Sequence, residues 1–439
     1  MQELPIYVTN YLRKFGLTKW RLEISSYKLF QNIIVIPAIQ ESENLPRLLA
    51  SLLKCDKQLF SKTLFIFVIN NLKSSSPEIK EDNLRLLQYL RCILQRKAVD
   101  QLSREIIAVG MNIGVINASS PGLEMPDKDG GVGYARKIGM DLALNYFDYS
   151  SPQSKILACL DADCTVSPNY LFVLNEINEK KYSAGYFEYE HLLPEDDEEK
   201  SAIITYEIFL RYYVLGLKFA NSSFAFDTIG STMFCDAESY VRIGGMNKKK
   251  AAEDFYFLEK LAKITEINKI SSAKVFPSSR RSWRVPFGTG QRINRFFAGT
   301  HDEDSLYDPK SFEVLKLWIE KFFSDGVLTA EEYINHAEQI DSSLANFLLK
   351  QSFPEAWTKI IIETNKVDQL QKQKFFWFDG FRTLKLIHYL RDASYPMVNM
   401  FDALDQLLAK YDMKIEHSNS VALWQTQFEY LKVLRNLTI

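Results

Sequence analysis

The stretch "NIIVIPAIQESENLPRLLASLLK", Asn32 to Lys54, decides the fold. Its first seven residues carry apolar side chains toward both faces of a strand, as in a buried parallel sheet. A short polar loop, Gln40 to Glu43, follows. Leu45, Leu48, Leu49, Leu52 and Leu53 then fall on one helical stripe. Pro46 sits in the first turn of that helix, where its missing N–H is tolerated. A buried strand, a polar loop and an amphipathic helix begin a strand–helix–strand unit.

The alternation continues outward from there. "TLFIFVINN" predicts a second buried strand and "PEIKEDNLRLLQYLRCILQ" a second helix. "REIIAVG", Arg104 to Gly110, predicts a third strand. "GYARKIGMDLALNYF" predicts a helix with Ala135, Ile138, Leu142 and Tyr146 inward, and "KILACLDAD" a fourth strand. Such alternation specifies an α/β fold with a mainly parallel central sheet covered by helices. Ligands on these sheets bind outside the carboxyl ends of the strands. Glu41, Asn70, Gly131 to Arg136 and the pair Asp161/Asp163 all fall there. After about Thr300 helical stretches such as "FEVLKLWIEKFF" and "FRTLKLIHYLRD" take over. The expected division is an N-terminal helical segment at 1–30, an α/β domain at 31–300 and a helical C-terminal extension at 301–439.

Composition narrows the partners. The 53 basic and 55 acidic residues leave a net charge of −2, so nucleic acid is not an expected partner. Five cysteines, with no Cys-x-x-Cys pair, indicate buried thiols in a reducing compartment. The N-terminus lacks the apolar core of a signal peptide. No apolar run is long enough for a transmembrane span. "IITYEIFLRYYVLGLKFA" comes nearest, but Glu207 and Arg211 in its middle point to a buried or groove-lining helix, or else one lying on a membrane surface. The acidic run "LPEDDEEKSA" reads as a solvated loop or helix start. A cytoplasmic protein is expected, with peripheral contact at the inner face of a membrane left open.

Four motifs carry chemistry. Asp161 and Asp163, one residue apart, face the same way in an extended chain, about 6–7 Å from each other. They suit a hard cation, Mg2+ or Mn2+, which takes one or two carboxylates and completes its shell with phosphate oxygens. The alternative is capping of a helix near Pro168 by Asp163, Thr165 or Ser167. In "DKDGGVGYARKIGMDLAL", glycines ahead of a helix bring backbone N–H groups toward phosphate, and Arg136 and Lys137 add charge suited to a diphosphate. The alternative is a flexible turn before an ordinary helix. Glu253 and Asp254 open a helix, where its dipole favours them; Leu258 and Leu261 share the face of Asp254 and turn it inward. An ionised carboxylate in a cleft can act as general base, although simple charge complementarity also accounts for the pair. Last, "SSRRSWRVPFGTGQRINR" gathers Arg280, Arg281, Arg284, Arg292 and Arg295 with Trp283 and Phe287, as in a loop that closes over an anionic ligand.

The order "VIPAIQESENLPRLLASL", "GVGYARKIG", "LDADCTVSPNYL" and "GSTMFCDAESYVRIGGMN…AAEDFYFLEKL" resembles a family 2 glycosyltransferase of GT-A fold and inverting type, over about residues 31 to 295. The resemblance implies that Pro37 and Glu41 border the nucleotide, and that Asp161 and Asp163 meet the metal and the diphosphate of a nucleotide sugar. Glu253 and Asp254 match the family's acidic pair, with Asp254 the base on the acceptor hydroxyl; Arg280 to Gly290 resembles the loop that follows. Asn70 stands where the family often has an Asp on base or ribose, and Gln40 where it usually has Asn. His301 would complete the metal site by the same resemblance. The implied activity moves a sugar from a nucleotide-diphosphate donor to a glycan, lipid-linked or protein acceptor with Mg2+ or Mn2+. A retaining transferase and a silent nucleotide-sugar or glycan-binding protein are the alternatives.

Overall fold

The computed structural model describes residues 3–25, 27–281, 288–300, 302–324, 326–364, 366–415 and 423–438. The chain divides into two compact units. One comprises Met1–Leu192 and Thr228–Gln291; the other comprises Leu193–Asp227 and Arg292–Ile439.

The first unit is built on a nine-stranded sheet. Its strands are β1 (Leu22–Ile24), β2 (Asn32–Ala38), β3 (Thr63–Asn70), β4 (Asn112–Ala118) and β5 (Ile156–Cys159), then β6 (Thr165–Val166), β7 (Ala184–Tyr189), β8 (Met233–Asp236) and β9 (Asn268–Phe276). Their spatial order is β1-β4-β3-β2-β5-β8-β7-β9-β6. Strands β4, β3, β2 and β5 run parallel. Strand β8 runs antiparallel between β5 and β7, and β9 lies parallel to β7. Antiparallel β1 and β6 close the two edges. The sheet is therefore mainly parallel, with helices on its faces, as the alternation predicts.

Among the described residues of the first unit's opening segment, up to Leu192, the α-helices are α1 (Ile6–Phe15), α2 (Leu45–Leu52), α3 (Pro77–Leu94), α4 (Gln101–Ala108), α5 (Val132–Ala143) and α6 (Tyr170–Lys180). Ile34, Ile36, Phe65 and Phe67 pack with Leu48 and Leu49 of α2, Leu86 and Leu90 of α3 and Leu174 of α6. Val35 and Val68, one residue out of phase, turn to the other face. There α5 crosses closely: a Cβ on Gly139 would stand 2.3 Å from Val35 Cγ1 and 3.0 Å from Val68 Cγ2.

Two local expectations change. Arg104 to Gly110 is not a strand; most of it is α4. Asp100 accepts from the Ser103 backbone N–H at 2.7 Å, and Ser103 Oγ accepts from the Asp100 N–H at 3.0 Å. That capping box starts a helix and overrides the strand preference of Ile106, Ile107 and Val109. The strand comes one segment later, at Asn112–Ala118. Residues 1–30 are likewise not all helix, since β1 follows α1 and pairs with β4.

Among its described residues the second unit is helical, apart from a two-stranded pair of Ser305–Leu306 with Val398–Asn399. It includes α7 (Asp197–Phe219), which a boundary near residue 300 would leave with the sheet. Its Ile204, Ile208, Tyr212 and Leu215 are buried in one core with Phe312, Trp318, Phe322 and Leu404. The charges inside α7 are paired: Glu207 accepts from Arg211 Nε at 2.9 Å, and from Arg435 Nε at 2.8 Å and Nη2 at 3.0 Å. The acidic run upstream caps this helix, with Asp196 accepting from the N–H groups of Glu198 and Glu199. Among the described residues no helix is long and apolar enough to cross a membrane.

The contact of α5 with β2 sets the height of the arginine one turn earlier. Gly139→Val should destabilise the chain by about 1–3 kcal/mol, the usual range for overpacking. Adding Val35→Ala should recover part of that loss in a urea titration; no recovery would mean that the contact is not the one at fault.

Candidate functional site

The strand order reverses between β2 and β5. Open α/β sheets bind ligands at such a switch point, beyond the carboxyl ends of the strands. The loop after β2 carries Glu41 there, and the turn after β5 carries Asp161 and Asp163. Two further helices, α8 (Ala237–Arg242) and α9 (Glu253–Ala262), follow β8, and α9 begins with the acidic pair.

Arg136, in the second turn of α5, is 2% exposed and joins these pieces. Its Nη2 donates to Asp161 Oδ1 at 2.6 Å, and its Nη1 donates to Glu253 Oε1. Gly230 lies flat on the guanidinium, so that any Cβ there would come within 2.5 Å of Nη2. Arg280 forms the second node: its Nε donates to Asp163 Oδ2 at 2.8 Å, and its Nη2 donates to Glu41 Oε1. Glu41 also accepts from Asn44 Nδ2 at 2.9 Å. Asp161 and Asp163 are thus held by different arginines. The chain turns at Ala162, which is buried in the core, so the extended geometry expected for the pair does not hold.

Backbone strain precedes both outer carboxylates. Gln40 has φ 54° and Ala252 φ 56°, each immediately before an acidic residue of the site. Non-glycine residues are rarely left-handed, and such strain persists only where the surroundings hold it. Around Gln40 the support comes from α3. Asn83 Oδ1 accepts from the Gln40 N–H at 2.9 Å, and Asp82 Oδ2 from the Ser42 N–H at 3.2 Å. Asn83 Nδ2 also donates to Asn70 O at 3.0 Å and Asn71 Oδ1 at 2.9 Å. Sequence reasoning passed over Asn83, although it interrupts the apolar stripe that continues at Leu86, Leu87 and Leu90. Around Ala252 the support is Asn247 Nδ2, donating to Glu253 O at 2.9 Å.

The glycines ahead of α5 serve this packing. A Cβ on Gly131 would stand 2.8 Å from Lys250 Cα; one on Gly133 would stand 2.6 Å from Lys249 O and 2.8 Å from Glu253 Cβ. They let α5 meet the loop that carries Glu253. Lys137 is not brought to the carboxylates. Its Nζ is buried against Asp141 Oδ2 at 2.8 Å and Tyr11 OH at 2.9 Å, one turn away on the inner face of α5. Asn70 spends its Nδ2 on Ala38 O at 3.2 Å and Val68 O at 2.9 Å, bracing the ends of β2 and β3. Pro37 is part of buried β2. No residue caps α6 with its side chain, so Asp163 is not a helix cap. Arg284 and His301 lie outside the described residues.

Negative charge exceeds positive charge here, and burial magnifies the imbalance. Burial, then the nearby Asp163, push the Glu41 carboxyl up to about 8 against the pull of Arg280 and Asn44. Burial, then Glu253, push Asp254 up to about 7 against the pull of Arg136. Asp161 and Glu253 are also raised by burial, opposed first by Arg136. Asp254 is half-buried and accepts from the Phe255 N–H at 2.8 Å. Among the described residues no three His, Cys, Asp or Glu side chains are grouped to hold a metal. The donor set fits a hard cation that takes Asp163 and Asp161 and completes its shell with phosphate and water, rather than a protein cage.

No protein-family model and no curated protein matches the chain. Among solved structures it is similar to S. aureus TarS 1–349, at 11% identity and a TM-score of 0.36, over 90% of this chain and 95% of that one. The same protein in complex with UDP-GlcNAc aligns at 12% identity and a TM-score of 0.38, over 79% and 90%. Mannosyltransferase PcManGT from Pyrobaculum calidifontis, in complex with GDP-Man and Mn2+, aligns at 12% and 0.36, over 98% and 93%. Likeness at this level transfers no residue role and no substrate.

The raised carboxyls make a stability prediction. Between the ordinary value of 4.5 and about 8, folded Glu41 holds a proton that the unfolded chain releases. The native state then binds more protons, so stability falls as pH rises through that window. The unfolding temperature should be lower at pH 8.5 than at pH 6, and Glu41→Gln should flatten the slope. An unchanged slope in that variant would contradict the placement of Glu41.

Proposed function

We propose that the chain is a glycosyltransferase moving a sugar from a nucleotide-diphosphate donor to an acceptor hydroxyl, with inversion at the anomeric carbon. The observation that carries this reading is the meeting of Glu41, Asp161, Asp163 and Glu253 with two arginines at the switch point of the sheet, with Asp254 next to Glu253. The order of the four motifs supports it.

Asp254 has the attributes of a general base. It is raised to about 7, close to working pH, where proton transfer is most effective. In the proposed step it takes the acceptor hydroxyl proton while that oxygen bonds to the anomeric carbon. The bond from that carbon to the diphosphate oxygen breaks on the opposite face, and the electron pair leaves with the nucleoside diphosphate. Glu253 stays on Arg136 and fixes the start of α9, which aims Asp254. Mg2+ or Mn2+, held by Asp163 with Asp161, would supply positive charge to the departing diphosphate. Glu41, Pro37 and Asn70 border the nucleotide side in this reading. The acceptor is a glycan, a lipid-linked saccharide or a protein.

Thermal shift with UDP-, GDP- and TDP-sugars, with and without Mn2+, tests the donor, because a ligand that binds the native state raises its stability. Asp254→Asn should lower kcat by about 10²–10⁴-fold while leaving the donor's thermal shift in place. In the wild type, kcat should fall about tenfold per pH unit below about 7, since only the ionised base acts. Full activity in Asp254→Asn, or a flat profile from pH 5 to 8, would remove Asp254 from the mechanism.

A further inference from the structure

We propose that Arg280 is an internal counter-cation: in the donor-free protein it holds the ligand position of the divalent metal, and a donor diphosphate draws it off Asp163. The inference rests on the glycosyltransferase reading for the identity of the diphosphate. Its first half concerns only the chain's own charges.

The two arginines of the site differ in how they are held. Arg136 is enclosed, with its side chain 2% exposed, Gly230 lying on its plane and one carboxylate on each Nη. Removing it would strand the buried carboxylate of Glu253 and leave Asp161 without its partner. Arg280 has a side chain 30% exposed, and its partner Asp163 is 19% exposed. It follows the end of β9 and pairs with carboxylates from two separate loops, after β2 and after β5. Its guanidinium takes Asp163 with Nε and Glu41 with Nη2, and so covers the Asp163 oxygen that a hard cation beside a diphosphate would use.

The exchange is favourable in charge. Glu41, Asp161 and Asp163 face one another without enough cations, and Arg280 lowers that repulsion. A guanidinium is also well shaped for phosphate, which it meets with paired N–H donors. When a diphosphate arrives, Arg280 exchanges carboxylates for phosphate oxygens. Asp163 is then freed as the cation comes in beside the same phosphates. The cation thus replaces the charge that Asp163 loses. It follows that metal and donor bind with positive coupling, and that the metal alone binds weakly because Arg280 competes with it. By linkage, each must raise the affinity for the other by the same factor.

The test uses the full chain and Mn2+ as probe, with free Mn2+ followed by electron paramagnetic resonance. Without nucleotide, Arg280→Met should bind Mn2+ about tenfold or more tightly than wild type, within the usual span of coupling energies. Asp163→Asn in that background should cancel the gain. Thermal unfolding checks that each variant is folded. If Arg280→Met is not, Arg280→Lys keeps the charge without the fork and should show a smaller gain. Equal Mn2+ affinity in wild type and a folded Arg280 variant overturns the proposal. A gain that survives Asp163→Asn overturns it as well, because the cation then sits elsewhere. Adding UDP or GDP should raise wild-type Mn2+ affinity and leave the Arg280→Met value changed much less. If no nucleotide or nucleotide sugar affects any variant, the donor reading fails, while the nucleotide-free arm still judges Arg280.

Discussion

The site depends on one desolvated guanidinium. Arg136 lies in the second turn of α5 and is buried, which costs its charge the contact with water. Asp161 and Glu253 offset that cost, and in doing so tie the end of β5 and the start of α9 to α5. These elements are distant in sequence. Breaking a buried pair on one side leaves the other charge stranded, so the three ends are fixed as a set. The glycines complete the constraint: Gly131 and Gly133 admit the α9 loop, Gly139 admits β2, and Gly230 admits the guanidinium plane.

That constraint also explains where the protonation chemistry sits. Arg136 satisfies Asp161 and Glu253, yet Asp254, the next residue, gains little from it beyond a distant pull. Burial and the charge of Glu253 therefore dominate, and its carboxyl rises to about 7. Adjacent acidic residues on one helix turn are driven apart in role: one is a structural ion and the other a group that titrates near neutrality. Left-handed Ala252 turns the chain into α9 at a cost of about 1–3 kcal/mol in strain, and one helical step then separates the two side chains. Gln40 is likewise left-handed before Glu41, with Asn83 and Asp82 of α3 as the brace.

Much of this was legible in the sequence and some was not. The strands at Asn32 and Thr63 could be read because they are apolar on both faces, and the helices because their leucines keep a helical period. Arg104 to Gly110 misled because β-branched residues outweighed a capping box that only two side chains announce. Helix α7 was placed in the right state but in the wrong unit. Its apolar face names no partner, and the buried Glu207 meets Arg435 from more than 200 residues away. In the site, residue types and strand ends drew attention to Glu41, Arg136, Asp161 and the 253–254 pair. Pairings were not legible, because which arginine meets which carboxylate depends on a turn at Ala162 and on β9 returning to the sheet beside β6 and β7. Lys137 shows the limit: adjacent to Arg136 in sequence, it points to Tyr11 and Asp141 in the interior.

The glycine–arginine motif changes meaning once these contacts are drawn. Read from sequence, it is a phosphate cradle with two cations. In the fold its glycines are spent on helix packing, one cation is interior and the other is already committed to two carboxylates. None of that charge is left over for a diphosphate. The positive charge such a ligand needs must come from outside the motif. Of the described arginines at the switch point, Arg280 alone combines partial exposure with carboxylate partners that a cation can replace. In the proposed reading the strand-end carboxylates would not compete with a diphosphate for Arg136. They would compete for Arg280, and a divalent cation at Asp163 would resolve that competition.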